Sequence, residues 1–135
     1  MAVIYLLDTN ILIAALKAHP TVQRHLENTP LSSLRLSSIV LGELEFGAEK
    51  SVFAERNHTR LAELTQRLQP LGVDHDTAQH YGRIRALLER QGTPIGANDL
   101  WIAAQALAID ATLVTDNQRE FQRVPGLFLE NWLAE

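Results

Sequence analysis

Five apolar residues in unbroken succession, Val3-Ile4-Tyr5-Leu6-Leu7, open the chain and stop on a carboxylate, Asp8. A strand with one face in water alternates apolar and polar residues. An unbroken apolar run of strand length marks a strand covered on both faces. Strands of that kind belong to parallel sheets, whose crossover connections lay helices over the sheet.

The rest of the chain follows the same plan. Residues 9–16 read as a helix with Asp8 or Thr9 as its cap and Pro20 soon after it, and residues 21–27 as a second short helix. Residues 34–39 alternate like a strand, and Ser37 or Ser38 caps a helix over 39–50. Phe53, Leu61, Leu64 and Leu68 recur at helical spacing, and residues 70–73 form a short strand. Asp76 or Thr77 caps a helix carrying Ala78, Tyr81, Ile84 and Leu88 that ends near Gly92, and an Ala-rich helix occupies 97–109. Residues 111–115 and 127–129 are the last strands. Strands alternating with helices predict an α/β fold: a single domain over 1–135, with a parallel sheet of about five strands and helices on both faces. At 135 residues the chain buries roughly two thirds of its unfolded surface, enough to fold without a disulfide or a structural metal.

Composition narrows the chemistry. There is no cysteine, which fits a reducing cytoplasm and removes thiolate metal sites and thiol nucleophiles. No apolar run approaches the roughly 20 residues of a membrane span, and no basic region precedes the first apolar run as in a signal peptide. The expected location is therefore cytoplasmic. The net charge of −4 argues against strong, unaided binding to nucleic acid. The basic residues are nonetheless almost all Arg, with only Lys17 and Lys50 as lysines, and Arg is the better phosphate and stacking residue.

In a parallel α/β sheet ligands sit beyond the carboxyl ends of the strands. Asp8 ends the first strand there and Asp116 ends the strand Leu113-Val114-Thr115 in the same way. Glu43 lies early in one helix and Asp99 in the first turn of another whose neighbours are nearly all apolar. Singly, each has an ordinary explanation: an Asp between strand and helix is an N-cap, and an acid in a first turn complements the helix dipole. Together they predict one cluster, and like charges that close destabilise a fold unless a cation neutralises them. An all-oxygen set suits Mg²⁺, or Mn²⁺, rather than zinc. The histidines, His19, His25, His58, His75 and His80, include no pair at the spacing of a zinc-binding helix. Carboxylates holding one or two divalent ions activate water for in-line attack on a phosphodiester.

Four segments in order resemble the PIN-domain ribonucleases, and among them the VapC-type toxins of toxin–antitoxin pairs. They are Leu7-Asp8-Thr9-Asn10; Ser38 to Gly47 around Glu43; Gly96-Ala97-Asn98-Asp99-Leu100-Trp101; and Leu113-Val114-Thr115-Asp116-Asn117 with Arg119-Glu120-Phe121. The resemblance covers almost the whole chain. It implies a Mg²⁺-dependent endoribonuclease acting on structured RNA such as tRNA, inhibition by a small antitoxin with a basic DNA-binding domain, homodimer formation and hetero-oligomers with the antitoxin. It also implies that Asp8, Glu43, Asp99 and Asp116 are the catalytic, metal-holding acids. The pattern departs from the family at two points. Gly42 stands where a small residue, often Ala, precedes the acid of the second motif, and the fourth motif is irregular. The fourth acid ordinarily lies two residues after the motif's Thr, where this chain has Asn117, and Asp116 stands one place early. Either the register slips to bring Asp116 in, or Asn117 supplies a neutral ligand or a water contact.

Around these acids, Thr9 caps the first helix or hydrogen-bonds Asp8, and Asn10 and Asn98 are placed to orient carboxylates from behind. Thr115 is placed to hydrogen-bond a metal-bound water, a plain strand-forming Thr being the ordinary alternative, and Asn117 completes the surround. Arg83 with Arg90, and Arg56 with Arg60, share helix faces and are the RNA-contact candidates, a solvated face being the ordinary alternative. Trp101 and Trp132 are expected in the core or at a dimer contact. Other α/β classes lack their signatures: Asn10 replaces the second Asp of a haloacid-dehalogenase-type phosphatase, no late Lys serves a receiver domain, and neither GxGxxG nor GxxxxGK[ST] occurs. The alternative that survives is an inactive PIN-fold module that binds RNA or protein.

Overall fold

The computed structural model describes residues 2–134. Five strands form one parallel sheet: β1 (Tyr5–Leu7), β2 (Leu34–Ser37), β3 (Pro70–Leu71), β4 (Thr112–Val114) and β5 (Phe128–Glu130), in the order β3-β2-β1-β4-β5. Between them lie α1 (Thr9–Leu16), α2 (Pro20–Glu27), a 3₁₀ turn (Leu31–Ser33), α3 (Ser38–Lys50), α4 (Ala54–Arg67), α5 (His75–Arg90), α6 (Ala97–Ala108) and α7 (Gln118–Phe121). The chain steps from β1 outward to β2 and β3, then crosses back to β4 on the other side of β1. Right-handed crossovers therefore place the helices before β3 and those after it on opposite faces. The reversal also leaves a crevice at the carboxyl ends of β1 and β4, where parallel α/β folds bind their ligands.

Apolar burial holds the sheet between its helices. Leu6, Leu36, Leu113 and Val114 are fully buried, as are Val22 and Val40 from one set of helices and Ile102, Ala103, Ala104 and Ala106 from α6. Each large side chain among them contributes roughly 1.5–3 kcal/mol. The alanines of α6 have no bulk to hold α5 away, so the two helices pack closely over their length. Trp132 is buried, its ring stacked on His25 at 5.0 Å and its Nε1 donating to Glu130 Oε1 at 2.9 Å. Trp101 is half-buried and stacks on Tyr81 at 3.7 Å.

Local details differ from the sequence expectations where side chains decide. The second strand ends at Ser37, two residues early, because the Ser37 hydroxyl accepts from the Ile39 backbone N–H and starts α3. Asp74, rather than Asp76 or Thr77, caps α5: its Oδ1 accepts from both the N–H and the hydroxyl of Thr77. Gly92, at φ +71°, follows the end of α5 in the left-handed region that glycine alone enters freely. The short helix α7 spans only four residues and has no apolar period of its own, so local pattern gives no sign of it.

Candidate active site

The register of β1 on β4 pairs Tyr5 with Thr112, Leu6 with Leu113 and Leu7 with Val114. One step further, Asp8 N donates to Val114 O at 2.9 Å, and Asp8 and Thr115 stand side by side just past the strand ends. Both are buried, Asp8 with 7% of its surface exposed and Thr115 with none. A buried carboxylate needs donors, and Asp8 has two. Thr9 N donates to Oδ1 at 2.8 Å and the Thr115 hydroxyl to Oδ2 at 2.7 Å. The first of these also caps α1, so Asp8 is a helix cap and a buried strand-end acid at once. Burial raises its pKa above the ordinary carboxylate range despite these donors, and the charges of Asp116 and Glu120 push it the same way.

Glu43 arrives on α3, which springs from the end of β2 beside β1. It is half-buried, and its Oε1 has no hydrogen-bond partner among the described residues; nor has the buried Thr9 Oγ1. Its pKa is raised by burial first and by the charge of Asp8 second, with the Thr9 hydroxyl close by acting the other way although the two groups do not meet in hydrogen-bond geometry. Asp99, in the first turn of α6, is pushed up to about 7 by burial, then by Glu120 and Asp8, with Glu43 adding to the effect. These mutual shifts locate the three acids within electrostatic reach of one another at the crevice.

Asp116 is placed differently. It is exposed at the rim, where Asn10 Nδ2 donates to its Oδ1 at 3.1 Å, and it acts on Asp8 through charge alone. The fourth carboxylate drawn in beside Asp99 is Glu120. Its Oε1 accepts from Gly96 N at 2.6 Å and its Oε2 from Asn117 Nδ2 at 2.7 Å. Burial would raise its pKa, but the Gly96, Asn117 and Asp99 hydrogen bonds and the Arg123 charge hold it below the ordinary glutamate range. Glu120 lies within the fourth motif, whose pattern assigns it no role. The signal that points to it is the Asn117-x-x-Glu120 spacing of a capping box; here the carboxylate caps α6 across space instead of its own helix.

Of the supporting polar residues, Thr115 and Asn117 sit behind the acids, Asn10 meets Asp116 at the rim, and Asn98 is exposed with no side-chain hydrogen bond among the described residues. Arg60 and Lys17 line a groove of about 370 Å³ that reaches Glu43. Arg56 lies over the Phe53 ring at 4.7 Å, and Arg83 and Arg90 are exposed on α5 without a hydrogen bond or ion pair among the described residues.

The donor set is oxygen only, it is mutually repelling, and it includes an orphaned buried carboxylate oxygen, so its chemistry fits a hard divalent cation. As the side chains stand, no three acidic or histidine groups among the described residues close into a metal-sized cage. The carboxylates repel one another and turn to the donors beside them, Asp8 to Thr9 and Thr115, Glu120 to Gly96 and Asn117.

Comparison with known proteins identifies the family of the chain. The PIN domain family model matches residues 5–127. The chain is 43% identical over 133 residues to ribonuclease VapC2 of Rickettsia felis, covering 96% of this chain and 98% of that one. It is also 43% identical over 128 residues to the tRNA(fMet)-specific endonuclease VapC of Salmonella typhimurium, covering 95% and 97%. Among solved structures it is similar to DNA-bound VapBC from Salmonella typhimurium, with a TM-score of 0.89, 42% identity and coverage of 97% and 99%. FitAcB from Neisseria gonorrhoeae gives a TM-score of 0.87 at 26% identity, with coverage of 98% and 100%. A strand-end acid met by acids from two helices, on a chain this alike from end to end, has one reading: the protein belongs to the PIN-domain family, among its VapC-type ribonucleases.

Proposed function

We propose that the protein is a Mg²⁺-dependent endoribonuclease, with Mn²⁺ able to substitute, and the toxin of a toxin–antitoxin pair. The observation that carries this reading is the convergence of Asp8, Glu43 and Asp99 on one crevice, all three with pKa values raised by burial, Glu43 also by Asp8 and Asp99 also by Asp8 and Glu43. Asp8, Glu43 and Asp99 would hold the ion, with Asp116 at the rim. A divalent ion there supplies Lewis acidity, activating water and balancing charge on the phosphate and the leaving 3′ oxygen.

The chain's own residues do the rest. Thr115 fixes the Asp8 carboxylate by donating to Oδ2, and the Thr9 N–H fixes its other oxygen. Lys17 and Arg60 offer cations to RNA phosphates along the groove that leads to Glu43. Structured RNA, tRNA foremost, is the proposed substrate, supported by the tRNA(fMet)-specific relative. The proposed partner is a VapB-like antitoxin, supported by the VapBC complexes whose toxin chains share this fold, together with a homodimer of the toxin itself. The irregular fourth motif favours an inactive binding module, but Asp8, Glu43 and Asp99 still meet at one edge without it.

The test is cleavage of purified tRNA and of an unstructured RNA by protein freed of contaminating nuclease. Cleavage of tRNA in Mg²⁺ or Mn²⁺ that stops in EDTA is expected. Cleavage that persists in chelator overturns the metal reading, and none in any metal returns the binding module.

A further inference from the structure

Asn117 stands where the family pattern puts an acid, and its hydrogen bonds show what it does there. Its backbone N–H donates to Thr115 Oγ1 at 3.0 Å, so that the Thr115 hydroxyl proton is left to point at Asp8 Oδ2. Its side-chain Nδ2 donates to Glu120 Oε2 at 2.7 Å. Glu120, held on that side, takes the Gly96 N–H with its other oxygen at 2.6 Å. Gly96 is the N-cap of α6, it has no side chain of its own with which to cap, and Asp99 lies three residues on. A Cβ built at Gly96 would stand 3.7 Å from both Asp99 Oδ2 and Glu120 Oε1, which places the two carboxylates together beside that residue. One side chain thus joins the element that fixes Asp8 to the element that carries Asp99.

We infer that Asn117 and Glu120 form a donor–acceptor pair that positions the N-terminus of α6, and so Asp99, relative to Asp8. In this chain the fourth motif contributes a positioning pair in place of one acid. Asn117 is specific for the task because its amide can donate to Glu120, whereas an aspartate there would present a second negative charge to it. This inference rests on the nuclease reading for its effect on cleavage, but not for its effect on structure.

The chemistry supplies a discriminating swap. Asn117→Asp sets two carboxylates against each other. Glu120→Gln is the milder change: with its Oε1 on the Gly96 N–H it presents Nε2 to Asn117, which can turn its amide over and accept through Oδ1, so only the charge of the acceptor is lost. The double variant N117D/E120Q restores one donor and one acceptor with unchanged net charge, and its Gln Oε1 again meets Gly96 N. Two readouts are taken on protein whose thermal melt remains cooperative. The first, in chelator, is the proton shift and exchange protection of the Gly96 amide. Asn117→Asp should move that resonance upfield and lower its protection, Glu120→Gln should do so less, and the swap should undo most of the Asn117→Asp change. The second is RNA cleavage in Mg²⁺: Asn117→Asp should lower kcat about 10–100-fold with little change in KM, Glu120→Gln less, and the swap should recover most of the Asn117→Asp loss.

A Gly96 amide unmoved by Asn117→Asp would overturn the proposal, as would Asn117→Asp cleaving like wild type, since a plain acid would then serve. A swap that restores Gly96 but leaves cleavage at the Asn117→Asp level would also overturn it, because the Glu120 charge would then act directly on the chemistry. If wild-type protein cleaves no RNA, the nuclease reading fails by itself and the amide measurement alone decides the positioning role.

Discussion

The Thr115 hydroxyl donates to Asp8 Oδ2 at 2.7 Å across 107 positions of sequence, in a place where neither residue meets solvent appreciably. The bond exists because β1 and β4 are parallel neighbours in register, so their first residues beyond the ladder lie side by side. It makes Asp8 a fixed carboxylate. The orientation comes from a neighbouring strand, and the charge remains available to the crevice.

Thr115→Val keeps the shape of the side chain and removes its hydroxyl. Asp8 Oδ2 then loses its donor and Asn117 N its acceptor. The expected cost is about 1–3 kcal/mol of stability, read from chemical denaturation. RNA cleavage should fall about 10–100-fold. A variant that cleaves normally would show that Asp8 needs no orienting partner.

Asp8→Asn separates the two roles of that residue. Asn caps a helix about as well as Asp, and loss of the charge relieves burial of a carboxylate and repulsion with Glu43 and Asp116. That relief offsets the Thr115 hydroxyl's loss of its acceptor when the Asn oxygen keeps the Thr9 N–H. Stability in chelator should therefore stay within about 1 kcal/mol of wild type, while cleavage drops to background because the ion loses a charged ligand. Asp8→Ala should cost about 1–2 kcal/mol beyond that, with the cap also gone. The measurement is cleavage rate beside EDTA-treated melts for the three proteins, and undiminished cleavage by Asp8→Asn would end the ligand assignment.

Stability of the metal-free protein should fall as pH rises from about 5 to about 7.5. Asp8, Glu43 and Asp99 all have folded pKa values above their ordinary ones, Asp99 rising from 3.8 to about 7. In that window the folded state binds more protons than the unfolded state, so raising the pH favours unfolding. Glu120, held below its ordinary 4.5, gives the opposite slope only at pH values below that figure. Melting temperatures in EDTA across this range should decline, and Asp99→Asn should flatten the decline. A wild-type profile that is level or rising would contradict the electrostatic account of the crevice.

The antitoxin is expected to place a basic side chain, an Arg by preference, among the carboxylates, since a guanidinium can take the cation's place and pair with two oxygens. The purified toxin–antitoxin complex should then bind Mn²⁺ far more weakly than the free toxin in a calorimetric titration. Equal Mn²⁺ affinity in the two forms would mean that inhibition leaves the acids accessible.

Much of this architecture can be read from local pattern. The unbroken run before Asp8, the helical recurrence through Leu61, Leu64 and Leu68, and the stop at Gly92 depend on near neighbours, so the alternation of strands and helices follows from the chain alone. The acids Asp8, Glu43 and Asp99 are legible for the same reason, each standing at a strand end or early in a helix. Burial could not be read that way. Asp116 and Thr115 are adjacent in sequence, yet the strand alternation turns Thr115 inward to Asp8 and leaves Asp116 at the rim. Glu120 on the four-residue helix α7 carries no periodic signal. Its part is set by Gly96, 24 positions away, and by Asn117 at the start of its own helix. Local residues determined the elements and which acids lie at their ends. Only packing decided which carboxylates are desolvated, because burial, register and proximity depend on how distant segments pack together.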